Sequence, residues 1–193
     1  MHFMSKRSGW AFMVGLACWV LPLASARAQT SAANLSALKG EMKVFQAVVD
    51  ETMSQTFAPP FGLLEKTQGT YLPGFGLAFS LEVNLYPARV TNPFDMTPLS
   101  KAEVEKAQKE KRARITTVKE TIPRLLADHA TSLRDLRPEE SVAVVVHLFE
   151  VETGDAKLPD QLVIEARKSD LNEFWDKKIT YQELVAKTKI LEL

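Results

Sequence analysis

Cysteine is almost missing from this chain: Cys18 is the only one among 193 residues. Histidine is nearly as scarce, and only His129 and His147 lie beyond the N-terminal stretch. No sign of charge is in excess, with 24 Lys+Arg against 24 Asp+Glu. After residue 28 no apolar run approaches the roughly 20 residues of a membrane-spanning helix. Each absence excludes something. One cysteine cannot form an internal disulfide or a thiolate zinc cluster, so stability must come from packing. A balanced charge gives no reason to expect a polyanionic partner, and nucleic acid is not expected. The sequence also lacks a G-x-S-x-G elbow and any G-K-[ST] phosphate loop, so neither a nucleophile elbow nor a nucleotide cradle is encoded locally.

What is present begins with a leader. Lys6 and Arg7 form a short basic region, Gly9 to Leu23 an apolar core, and Ala26-Arg27-Ala28 a small-x-small cleavage pattern. Together they predict a secretory signal peptide over residues 1–28, cut before Gln29, and a periplasmic or secreted location. A permanent anchor is disfavoured because Pro22 and small residues follow too soon. Lipidation at Cys18 is disfavoured because Gly15 stands where a leucine-like residue is preferred and the apolar run continues through Trp19, Val20 and Leu21. Cleavage would take three of the 24 basic residues and none of the acidic ones, giving a net charge of −3, and would remove the cysteine.

Residues 29–193 read as a single α+β domain. An N-terminal helix within 29–58 carries an apolar stripe of Leu35, Leu38, Met42, Phe45, Val49, Met53 and Phe57, with Asn34 as N-cap and Ala58-Pro59-Pro60 as its stop. Leu77, Phe79, Leu81, Val83 and Leu85 alternate with smaller or polar residues, which predicts a strand with one buried face. Pro73-Gly74 ahead of it predicts a hairpin turn, with residues 63–72 as the incoming strand. A long helix follows, opened by a Ser100/Glu103 capping box and kinked or split near Pro123. Its basic window, Lys109 to Arg114, reads as a solvated face laced by pairs such as Glu110–Arg114 rather than an anionic-surface site, because acids are interspersed and aromatics absent.

Residues 141–152 have two apolar faces, as a central strand covered on both sides would. Residues 161–168 predict its hairpin partner. Ser169 or Asp170 would cap a short helix bearing Leu171, Phe174 and Trp175, with Trp175 in the core. A second capping box, Thr180/Glu183, opens another helix, and Ile190 to Leu193 a last short strand. The expected architecture is a mainly antiparallel sheet with helices segregated onto it.

No cofactor and no metal site is expected, since two histidines on separate elements need several coincidences to converge with Asp128, Glu82 or Glu150. The leading functional reading is a non-enzymatic protein that binds another envelope protein or a surface. Its candidate binding residues are Tyr71 and Phe75 at the hairpin tip and Arg89 and Phe94 in the proline-rich 86–99 connection, where a long irregular stretch often carries function. The alternative is a small periplasmic hydrolase using His129 and His147 with nearby carboxylates. The spatial relation of the two histidines, and whether carboxylates or a cleft accompany them, separates the two readings.

Overall fold

A computed structural model describes residues 32–85, 100–149 and 158–193. The described elements are α1 (Ala32–Thr56), β1 (Gly62–Leu72), β2 (Gly76–Asn84), α2 (Lys101–His129), a 3-10 turn (Ala130–Ser132), β3 (Ser141–Leu148), β4 (Gln161–Arg167), α3 (Lys168–Trp175), α4 (Tyr181–Lys187) and β5 (Lys189–Glu192). The strands form one five-stranded sheet in the order β1-β2-β3-β4-β5. All neighbours are antiparallel except β2 and β3, which are parallel. That exception follows from α2: a helix between two strands returns the chain to the end of the sheet where β2 began. The fold is α+β, with a helix preceding a mostly antiparallel sheet.

The alternation read from the sequence becomes the core through strand register. Leu77, Phe79, Leu81 and Val83 stand opposite Val142, Val144, Val146 and Leu148, and these face Ala166, Ile164 and Leu162 in turn. All are buried, in one cluster with the apolar stripes of α1 and α2. Phe45 of α1 meets Phe79 of β2 with ring centroids 4.7 Å apart, a tilted contact that adds to simple area burial.

The opposite face of the sheet differs from expectation. On it Val145 and Val163 are half-buried, while His147 and Phe149 are exposed. The described helices bury their apolar residues with the inner face alone. The second apolar side of β3 is therefore not a covered layer among the described residues. Short β-branched side chains there shield the backbone and one another within the sheet.

β1 is irregular where it meets α1. Its register against β2 shifts between Leu63 and Glu65 and again between Glu65 and Gln68. Bulges free backbone groups from the ladder, and α1 takes them up: the Thr67 N–H donates to Asp50 Oδ1 at 2.8 Å, and the Thr67 carbonyl accepts from Gln46 Nε2 at 2.8 Å. Asp50, off the apolar stripe, is thus a tie between helix and sheet.

α2 runs unbroken through Pro123, which is buried inside it. The expected split does not occur, because the apolar neighbours Ile122, Leu125 and Leu126 are packed on both sides of the missing donor. Arg114 donates to the carbonyl of Leu85, just past the end of β2, at 3.3 Å. Ahead of that contact Ala107 and Lys111 are buried, so the basic window from Lys109 to Arg114 is not the wholly solvated face expected. Both expected capping boxes form, at Ser100/Glu103 and Thr180/Glu183, and the Glu110–Arg114 pair closes at 3.5 Å.

Two predicted caps do not. α1 starts at Ala32, two good helix formers ahead of Asn34, which falls inside it. α3 follows β4 directly, and no side chain caps it. Its first amides go to a distant turn instead, Lys168 N–H to the Glu140 carbonyl at 2.8 Å and Ser169 N–H to the Pro138 carbonyl at 2.9 Å. The buried Lys168 ammonium donates to the Ala130 carbonyl at 2.7 Å, tying this junction to the end of α2. Burial lowers its pKa, and the Glu41 charge partly restores it.

Candidate functional site

The hairpin tip is set by local turn chemistry. Gly74 adopts φ +84°, as the second central residue after proline must, and the Phe75 N–H donates to the Leu72 carbonyl at 3.0 Å. Leu72, Pro73 and Gly74 are exposed, whereas Tyr71 and Phe75 are half-buried. The two aromatics therefore flank the apex rather than form it.

What holds the tip lies sixty-odd residues away in sequence, in the turn before β3. Glu140 is only 2% exposed. One carboxylate oxygen accepts from the Tyr71 hydroxyl at 2.7 Å and from the Arg137 guanidinium at 2.7 Å. The other accepts from the Arg137 backbone N–H at 3.0 Å. Burial alone would raise the pKa of this carboxyl, but the hydrogen bonds from Arg137 and Tyr71 and the nearby guanidinium charge outweigh it and hold the group below its ordinary value. Arg137 is in turn held above its ordinary value by the same partner.

The backbone closes the arrangement. The Ser141 N–H donates to the Phe75 carbonyl at 2.7 Å. Gly76 sits against Ser141 at φ +126°, and an added Cβ would overlap the Ser141 carbonyl oxygen and lie 2.8 Å from its nitrogen. Only glycine fits there. The tip, the 137–141 turn and the β4–α3 junction are thus one hydrogen-bonded unit at one end of the sheet.

Arg89 and Phe94 lie outside the described residues. The two points from which their connection springs are described. Leu85 is at the far end of β2 from the tip, roughly 30 Å away for a nine-residue strand. Ser100 is the N-cap of α2.

The histidines lie apart, and both are exposed rather than packed in a core. His129, at the end of α2, borders an open groove of about 780 Å³ along the outer side of α1, beside Val44 and Val48. His147 projects from the uncovered sheet face. Its Nε2 is 3.1 Å from Ser80 Oγ, and Glu82 is its register neighbour on β2. This Ser–His contact was not legible in the sequence, because it depends on the parallel pairing of β2 with β3. Among the described residues the amides of β2 and β3 are committed to ladder pairing on both sides, so those two strands offer no converging backbone donors for an oxyanion. Among the described residues no group of three or more His, Cys, Asp or Glu is placed to hold a metal ion, and no helix is long and apolar enough to cross a membrane.

Trp175 departs from expectation. It is 49% exposed, and its indole N–H donates to the Ala127 carbonyl at 2.8 Å. That bond lets the ring lie along α2 without entering the core.

No protein-family model matches this chain, and neither a curated protein nor a solved structure matches it.

Proposed function

We propose that this is an exported, non-enzymatic binding module of the bacterial envelope that docks on another envelope protein through its hairpin tip. The observation that carries the reading is the way the tip is held. Leu72 and Pro73 are exposed, yet Tyr71, Phe75 and Gly76 on either side are tied to the 137–141 turn by side-chain and backbone hydrogen bonds. A fixed apolar apex loses little conformational entropy on docking, which is how a small surface gains affinity. The role of Tyr71 and Phe75 in this reading is to brace and flank the apex, and Leu72 is the contact residue. The hydrolase alternative has the Ser80–His147 contact as its foothold, with the described amides on either side of it committed to the strand ladder.

Two measurements test the proposal. Mass spectrometry of protein recovered from the periplasm or medium should give Gln29 as the first residue. Leu72→Asp should leave the melting temperature within about 2 °C of the parent, as substitutions of exposed groups usually do, while reducing capture of the partner from envelope extract at least tenfold. An intact N-terminus in the cytosol, or equal capture by both forms, contradicts the reading.

A further inference from the structure

The turn between α3 and α4 carries a second, independent concavity. α3 ends in a Schellman arrangement, with the Lys178 N–H donating to the Glu173 carbonyl at 2.9 Å and the Lys177 N–H to the Phe174 carbonyl at 3.0 Å. This motif places one residue in the left-handed region, normally glycine or asparagine. Here it is Lys177, at φ +59°, the one non-glycine residue with positive φ among the described residues. A lysine at that position is strained, and strain of this kind is retained where the side chain has a task.

Lys177 lies on the rim of an open groove of about 480 Å³, with Phe174, Trp175 and Ile179 as its apolar lining and Asp128 and Thr180 at its edge. The exposed indole is fixed in orientation by its bond to Ala127. Phe174 is itself packed edge-on against Tyr181, 6.2 Å between centroids, and Arg124 lies over the other aromatic of that pair at 3.9 Å. The groove is therefore preformed. Lys178 is paired with Asp176 at 2.8 Å, whereas the Lys177 ammonium and the Asp128 carboxylate make no side-chain hydrogen bond or ion pair among the described residues. Glu183 also lines the groove, with one carboxylate oxygen taken up by the Thr180 cap, which leaves Lys177 and Asp128 as an oppositely charged pair of polar groups beside the aromatic lining.

We infer that this groove is a saccharide-binding site, with the ring face of a neutral sugar stacked on Trp175 and its hydroxyls held by Lys177 and Asp128. The chemistry is complementary on each side. The C–H bonds on one face of a pyranose carry partial positive charge and meet the negative face of the indole. Equatorial hydroxyls at the ring edge accept from an ammonium and donate to a carboxylate. A groove of this size matches a ligand of one or two rings. Because Trp175 donates its N–H internally, it offers only its face and carbon edge, which suits stacking. The inference does not depend on the hairpin-tip reading.

Isothermal titration calorimetry of the full chain with N-acetylglucosamine tetramers and glucose tetramers tests it. At least one should bind. Trp175→Ala should weaken binding at least tenfold, and Lys177→Gly several-fold. Lys177→Gly should at the same time raise the melting temperature by about 2–4 °C, because glycine relieves the left-handed strain. A lysine with only a structural role would show the stabilisation without the loss of binding. Absence of heat with both oligosaccharides, or unchanged affinity in Lys177→Gly, overturns the inference. If Trp175→Ala fails to fold, the lysine variant alone decides. Binding of a tryptophan-containing dipeptide through the same residues, with no oligosaccharide binding, overturns the ligand class.

Discussion

Gly76→Ala is expected to destabilise the protein by about 4 kcal/mol or more, seen as a fall in melting temperature of about 10 °C or more. Three costs combine. The backbone at φ +126° is one that residues with a side chain rarely adopt, and a methyl group there would overlap the Ser141 backbone. Moving Ser141 aside then breaks its hydrogen bond to the Phe75 carbonyl, which opens the parallel β2–β3 pairing at its first rung. Gly74 supplies the control. Its φ is also positive, at +84°, but nothing lies within 4 Å of an added Cβ, so Gly74→Ala should cost only about 1–2 kcal/mol for the left-handed backbone. Urea or thermal unfolding of the two variants separates them. Equal losses would mean that backbone conformation alone, and not close approach to Ser141, makes Gly76 necessary.

Glu140→Ala should cost about 3 kcal/mol, since it removes three hydrogen bonds to a buried carboxylate and leaves the half-buried Tyr71 hydroxyl without that acceptor. The pH dependence follows from the direction of its shift. The carboxyl pKa in the fold is below the ordinary 4.5, so between those two values the unfolded chain binds more protons than the folded one. The stabilising contribution is therefore complete above about pH 4.5 and declines as pH falls toward the lowered value. Glu140→Gln keeps the shape but cannot ionise. The stability gap between the parent and Glu140→Gln should be widest at neutral pH and narrow below about 4.5. A gap that stays constant from neutral pH to pH 3 would mean that the charge of Glu140 contributes nothing to holding the tip.

The elements most legible in the sequence are those governed by local rules. The alternation from Leu77 to Leu85 specified β2 and its buried face, because period-two burial needs no knowledge of the partner, and the apolar run from Val142 to Leu148 specified β3 but not which of its two faces is covered. The two capping boxes and the Pro73-Gly74 turn were readable for the same reason: each is satisfied within four residues. Beyond the Asn34 cap and the unbroken helix at Pro123, the features that were missed depend on distant contacts. Glu140 sits in a charged stretch, Arg137-Pro138-Glu139-Glu140, which reads as a solvated turn. It is buried only because the hairpin tip and the β4–α3 junction close over it. Asp50 looks like the polar side of a helix until the bulge in β1 presents an unpaired amide to it. Trp175, the one tryptophan beyond residue 28, reads as a core residue because large aromatics usually pack, but its N–H meets a helix carbonyl with the ring half-exposed.

The candidate site divides along the same line. Its turn chemistry was visible, and so was the presence of aromatics beside it. The bracing of those aromatics was not, because it joins residues 71 and 140 across the sheet. The Ser80–His147 contact shows the converse risk. A pair with the spacing of a nucleophile and base arises from strand register alone.

The central claim, that the hairpin tip is the docking element of an exported protein, is tested most directly inside cells. A photoreactive amino acid at position 72 should, on irradiation, yield a discrete crosslinked species in the envelope fraction. The same probe at position 39, on the exposed side of α1, should yield none. The adduct from position 72 should weaken in the Glu140→Ala background, where the tip is no longer held. No adduct at position 72 from a correctly exported chain, or the same adduct from both positions, would contradict the account.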